Sequence, residues 1–247
     1  MAGAMARGWA SSARGPERMV FVDSGSGRAL ELAAELGEER VATVEELAER
    51  SDLIVLAVKP KALDDVAGAI AGNVEAVVSV LGATPLERLS EALGATPVLR
   101  TMPNLAVEVR RGVISHTPVD PADDVLGAAV TLLGELGTTV EIGEDKLDAA
   151  TAVMGCAGAY IAKACEALIE AGVEAGLEPE LSQRLVREMA AGTGEHLLTL
   201  DPAAMQVAIA SPGGSTEAGL EALEAAGATT AFKAAVHASL ERMAGAR

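Results

Sequence analysis

Ser211-Pro-Gly-Gly-Ser-Thr216 is the stretch whose residue types point most directly to chemistry. Gly213 and Gly214 leave the backbone bare, and Ser215 and Thr216 are helix-start residues ahead of Glu217-Ala-Gly-Leu-Glu-Ala-Leu-Glu224. Such a turn aims unpaired N–H groups, and the positive end of a helix dipole, at one spot, which is how a carboxylate or phosphate is held. The same residues also suit a plain capped turn. A second group is Leu53-Ile-Val-Leu-Ala-Val58 with Lys59-Pro60 behind it. In an open α/β sheet, ligands bind beyond the carboxyl ends of the strands, which puts Ala57, Val58 and Lys59 against a cofactor. An ordinary buried strand ending in a solvated lysine reads the same way. Thr101-Met102-Pro103-Asn104 ends another strand; Asn104 suits an amide or ribose hydroxyl, or the stabilising of a turn.

Two further stretches matter. Asp23, at the end of the apolar run Arg18 to Val22, has the position of an acid that accepts from an adenosine ribose. The Ser24, Ser26 and Arg28 beside it could instead wrap a 2′-phosphate. Met154-Gly-Cys-Ala-Gly-Ala-Tyr160 is small enough for a flat group to approach a helix start, or for close helix packing.

The elements that must position these residues fall into two kinds. Up to about residue 140, apolar runs (18–22, 41–43, 53–58, 76–81, 97–101, 112–115, 138–142) alternate with helical patterns (2–13, 28–36, 44–50, 61–71, 85–93, 121–136). That alternation predicts βαβ units around a mostly parallel sheet. Beyond Glu144 the β signal stops, and 147–175, 179–200, 202–210 and 216–245 read as helices. The spacing predicts a Rossmann-like α/β domain over 1–143 and an all-α domain over 144–247. The helices 160–175 and 232–243 are expected to bury one another across a dimer axis.

Composition narrows the partners. Nineteen Lys and Arg stand against 36 Asp and Glu, a net charge of −17, which argues against nucleic acid and against an anionic lipid surface. No apolar run looks long enough for a membrane span, the best being the six residues from Leu53. Cys156 and Cys165 lie on one helical stretch about 13 Å apart in rise, too far for a disulfide. His116, His196 and His237 are scattered without metal-ligand spacing. The expectation is a cytoplasmic protein without a metal, partnered by a small molecule.

Taken together, these stretches resemble pyrroline-5-carboxylate reductase over nearly the whole chain. Ser211–Leu220 matches the family's S-P-G-G-T-T-x-x-G-L with Ser215 in place of one Thr. Ala57–Pro60 and Arg100–Asn104 match its V-K-P and R-x-M-P-N cofactor motifs, and Leu147-Asp-Ala-Ala-Thr-Ala152 matches the approach to its substrate helix. There are departures. Met154, Cys156 and Gly158 replace the two Ser and the Pro of S-G-S-G-P-A-Y, and Leu105 replaces the Thr of M-P-N-T. Family members open on a strand and a G-x-G-N-M-A loop. Met1-Ala2 resembles its last two residues, with Ala2 as the third small position, so the resemblance implies that about ten residues of strand and loop precede them.

The resemblance implies reduction of 1-pyrroline-5-carboxylate, a cyclic imino acid, to L-proline by hydride from a nicotinamide cofactor. Ala2, Asp23, Ser24, Ala57, Val58, Lys59, Met102, Pro103 and Asn104 would bind that cofactor. NADP is the family's habit, and Asp23 argues for NAD. The Ser211 hydroxyl and the N–H groups of Gly213, Gly214 and Ser215 would hold the substrate carboxylate, with the Thr216 hydroxyl on the imine nitrogen as the catalytic contact. A homodimer or larger homo-oligomer is implied. Two other readings stand beside this one. The first is a degenerate, truncated paralogue that binds or oligomerises without catalysis. The second is a related imine or β-hydroxyacid reductase, a class that places a Lys where Lys163 falls.

Overall fold

The computed structural model describes residues 1–245. By internal contacts the chain forms two compact units, Met1–Cys156 with the residues from Ser239 on, and Ala157–Ala238.

The first unit alternates as its sequence predicts. Helix α1 (Ala2–Ala10) leads to β1 (Val20–Phe21), α2 (Arg28–Leu36), β2 (Glu39–Arg40), α3 (Val44–Glu49) and β3 (Leu53–Leu56). A 3-10 turn at Pro60–Ala62 precedes α4 (Leu63–Ile70), β4 (Ala76–Ser79), α5 (Leu86–Leu93) and β5 (Val98–Pro103). Next come a 3-10 turn at Leu105–Val109, β6 (Gly112–His116), α6 (Asp124–Gly134), β7 (Gly137–Glu141) and the short α7 (Leu147–Ala150). Strands β3 to β7 form one sheet in sequence order, parallel except that β6 runs antiparallel to β5. β1 and β2 pair in parallel as a separate two-stranded sheet, and among the described residues no ladder joins β1 to β3.

Side-chain alternation on the strands builds two cores. Val78, Leu99 and Ile114 face Trp9 of α1 and Leu133 of α6, while Ile54, Leu56 and Val77 face α4 and α5 through Leu63, Ile70 and Leu89. Successive strand residues such as Val77 and Val78 must point to opposite faces, so helices cover both sides of the sheet. Trp9 is the large aromatic of this aromatic-poor core, and its indole N–H donates to the Leu132 carbonyl at 2.9 Å.

The second unit is helical. It holds most of α8 (Ala157–Glu174), α9 (Pro179–His196), α10 (Pro202–Ile209), α11 (Ser215–Ala225) and α12 (Ala228–Ala244). Many of its large apolar side chains are exposed, Val207 at 78% and Leu198 at 71% among them.

Several expectations need correction. The strand expected at 41–43 pairs instead over Glu39–Arg40. Val41 N–H still donates to Phe21 O, but backbone reach rather than side-chain type places a two-residue edge strand. The helix expected over 216–245 is two helices, broken at Gly227, whose φ of +80° a helix cannot continue. The helix expected over 147–175 is interrupted by a π-helical stretch, Thr151–Cys156. Among the described residues one helical run, Glu144–Glu174, is long and apolar enough on average to cross a membrane. Its apolarity comes largely from many Ala spread through the run rather than from a block of bulky residues. Finally, Tyr160 Oη lies 3.2 Å from Ala235 O, so α8 and α12 already meet within one chain.

Candidate functional site

In the first unit the candidate residues gather where the strands end. β3 delivers Ala57 and Lys59 to solvent with Val58 half-buried between them. β5 carries Met102, half-buried, and Pro103, buried, to its end at Asn104. Asn104 has structural partners: its Oδ1 accepts from Val113 N–H at 3.1 Å and its Nδ2 donates to Met154 O at 3.2 Å. It therefore ties the end of β5 to β6 and to the π-helical stretch. That stretch is held from below by the buried Thr151, whose hydroxyl donates to Leu147 O at 2.7 Å. Nothing in the residue pattern announces it, because a π-turn has no residue signature of its own; such turns recur at functional sites.

Beside Asn104, β5 contributes a buried cation. Arg100, 2% exposed, donates through Nη1 to Glu144 Oε1 at 2.9 Å and has Asp148 at 3.9 Å. Its Nε lacks a partner among the described residues. The same Glu144 oxygen accepts from Leu86 N–H at 2.6 Å, at the first turn of α5. A motif marks Arg100 in the sequence, but none marks Glu144, which approaches it from 44 residues away.

At the end of β1, Asp23 is the organiser of its loop. Its carboxylate accepts from Gly25 N–H at 2.8 Å, from the Ser26 hydroxyl at 2.9 Å and from Ala29 N–H at 2.8 Å. Those hydrogen bonds, Ala29's and then Gly25's foremost, lower its pKa from 3.8 to about 2. Ser24 is exposed beside it. At the first turn of α1, Ala2 is exposed and its amide, like that of Gly3, has no helical acceptor.

In the second unit the loop 211–216 is a built turn. Gly214 N–H donates to Ser211 O at 2.9 Å, and Gly213 has φ +73°. A Cβ on Gly214 would stand 2.9 Å from that same Ser211 oxygen, so only glycine fits. Gly214 is then the N-cap of α11. Two of the expected carboxylate donors are engaged: Gly214 N–H by Ser211 O, and Gly213 N–H by Glu217 Oε2 at 2.7 Å. The amides and hydroxyls of Ser215 and Thr216 and the Ser211 hydroxyl have no partner among the described residues.

Other candidates are absorbed by structure. His116 is buried with Nδ1 2.9 Å from Thr117 O. Lys163 is exposed and paired to Glu166 on its own helix, which raises its pKa. Cys156 and Cys165 are both free, half-buried thiols, and no metal-ligand cluster occurs among the described residues.

This arrangement can be set beside known proteins. Residues 144–245 match a family model described as pyrroline-5-carboxylate reductase dimerisation, and residues 1–82 one described as NADP oxidoreductase, coenzyme F420-dependent. A pyrroline-5-carboxylate reductase of Thermus thermophilus is 34% identical over 97% of this chain and 90% of its own. One of Synechocystis is 34% identical over 80% of this chain and 76% of its own. The chain belongs to the pyrroline-5-carboxylate reductase family. Solved members superpose over nearly all of it. The Streptococcus pyogenes enzyme does so with a TM-score of 0.84 at 26% identity over 98% of this chain and 94% of that one. The Plasmodium falciparum enzyme, solved with NADP bound, gives 0.83 at 27% over 98% and 93%. This family is one of oxidoreductases, and the α/β unit with its exposed strand ends fits a nicotinamide cofactor.

Proposed function

We propose that this chain reduces 1-pyrroline-5-carboxylate to L-proline with NAD(P)H, as a step of proline biosynthesis in the cytoplasm. The observation that carries the substrate side is the loop 211–216, whose Gly213 and Gly214 make a turn that leaves the Ser215 and Thr216 amides open at the mouth of α11. A carboxylate is the ligand such a mouth takes. Ser215 N–H and the Ser211 hydroxyl hold it, and Gly213 N–H joins them when Glu217 swings away. The Thr216 hydroxyl, half-buried, donates to the imine nitrogen or accepts from it once protonated.

We assign cofactor binding to Ala2, Asp23, Ser24, Ala57, Val58, Lys59, Met102, Pro103 and Asn104, with Asn104 acting chiefly through its hold on the strand end. A bound reduced nicotinamide supplies hydride to the carbon of the C=N bond. The nitrogen receives its proton from water or arrives protonated. Residues 1–143 serve the dinucleotide and 144 onward the substrate and the dimer contact. A homodimer or larger assembly fits the exposed apolar side chains of the helical unit.

The related β-hydroxyacid-reductase reading loses its lysine, since the Lys163 ammonium is solvated and paired. The test is incubation of purified protein with 1-pyrroline-5-carboxylate and each reduced dinucleotide, following cofactor absorbance and proline by chromatography. Stoichiometric proline is expected. Dinucleotide binding without turnover would instead favour the non-catalytic paralogue.

A further inference from the structure

We propose that Asp23 makes this chain select the dinucleotide with an unmodified adenosine ribose, NADH, over NADPH with its 2′-phosphate. The inference rests on the dinucleotide reading above.

Asp23 stands two residues after β1, at the strand end where an acid meets an adenosine ribose. A 2′-phosphate arriving there needs donors. Three donors of this loop, the amides of Gly25 and Ala29 and the Ser26 hydroxyl, are already held by Asp23 at 2.8–2.9 Å, and the exposed Ser24 hydroxyl stands next to that carboxylate. A phosphate would have to expel the carboxylate from its own turn, or sit beside it as a second negative charge. A ribose diol asks for the opposite partner. Its hydroxyls donate, and a carboxylate with about four lone-pair sites has acceptor capacity left after three bonds. The Ser26 hydroxyl can also turn away and free one more.

Charges of both signs surround the loop. Arg28, exposed at the start of α2, and Arg40, exposed on β2 opposite Phe21, pair with no carboxylate among the described residues, so they are the cations available to a phosphate. Against them stand Asp23 itself and Glu31 on the first turn of α2, while Glu39 on β2 is neutralised by Arg50 at 2.5 Å. Solvated cations opposing a fixed acid that already holds three of the loop's donors leave the balance with the diol.

The experiment is calorimetric binding of NADH and NADPH to the whole chain, without substrate. NADH is expected to bind about tenfold or more tightly, because NADPH forgoes one charge-assisted hydrogen bond and meets a like charge in its place. Asp23→Ser, which keeps a small loop-capping hydroxyl, should close or reverse the ratio. Asp23→Asn, which keeps the amide-accepting oxygen and removes only the charge, should shift it part-way if Asp23→Ser does not fold. NADPH binding as tightly as NADH, or a ratio unmoved by both substitutions, overturns the inference and leaves the dinucleotide reading standing. Binding of neither dinucleotide overturns both.

Discussion

The two glycine-serine loops, 23–28 in the first unit and 211–216 in the second, each carry an acid of their own on a loop amide, held in opposite ways. Asp23 precedes its loop, is short, and closes on three donors at once. Glu217 follows its loop from inside α11, is exposed, and makes one contact, to Gly213 N–H. The first arrangement is a finished turn with acceptors facing outward. The second is a turn whose Gly213 amide carries a removable stopper, and on the function proposed above that turn is an anion site. On the function and the inference proposed above, similar sequences of Ser and Gly would thus read a hydroxyl in one place and a carboxylate in the other, decided by where the acid is tethered.

A third acid gives the comparison a scale. Glu144 also sits on a helix-start amide, that of Leu86, but it is backed by the buried Arg100. Glu144→Ala strands that guanidinium with only the more distant Asp148 and unpairs Leu86 N–H. Breaking such a buried pair costs about 3–5 kcal/mol, and the partial exposure of Glu144 trims this to about 2–3. The melting temperature should drop by about 5–10 °C in thermal unfolding, against about 1–2 °C for Glu217→Ala. Equal drops would show that depth does not separate the three acids.

Next in size is the open part of the second loop. Thr216→Ala should lower kcat/KM by about 5- to 150-fold, or about 1–3 kcal/mol, and leave dinucleotide Kd unchanged. Steady-state kinetics and calorimetry together check it. Full activity in the variant would remove Thr216 from the reaction and make the loop a capped turn only.

How far these differences could be seen in advance depends on what fixes them. Helix α2 was legible to the residue, because Gly27 and Gly37, both in left-handed conformations, punctuate an amphipathic run between them. The strand cores at 53–56 and 76–79 were legible because both sides are buried and the pattern is continuous. The fold of the 211–216 turn was legible too, since its glycines have no substitute. What could not be read were contacts that only three dimensions create: Glu144 reaching Arg100, Asn104 reaching Met154, and Glu217 folding back on Gly213. The π-stretch belongs to the same class, because its extra residue is absorbed by packing rather than encoded in a motif.

A smaller effect separates the acids by titration. Asp23 should titrate near its lowered value of about 2 rather than the ordinary 3.8, read by side-chain carboxyl NMR. With its pKa depressed in the folded state, its contribution to stability is full above 3.8 and is lost as pH falls towards about 2. A midpoint at the ordinary value would mean the three hydrogen bonds do not persist in solution, and the finished turn would become as open as its counterpart.

The smallest effect concerns the stopper itself. If Gly213 N–H serves the substrate carboxylate, Glu217 must leave as substrate arrives, and its charge opposes the approach. The opposition is modest, because Glu217 is exposed and water screens it. Glu217→Gln keeps an oxygen for Gly213 N–H and removes only the charge, so KM for the imino acid should fall about 2-fold with kcat unchanged. Glu217→Ala removes the competing acceptor as well and should lower KM by about 5-fold. Raising the salt concentration should reproduce part of the Gln effect in the unsubstituted chain and almost none of it in either variant. If all three proteins share one KM at every salt concentration, Gly213 N–H takes no part in binding, and the two loops differ only in their unoccupied Ser215 and Thr216.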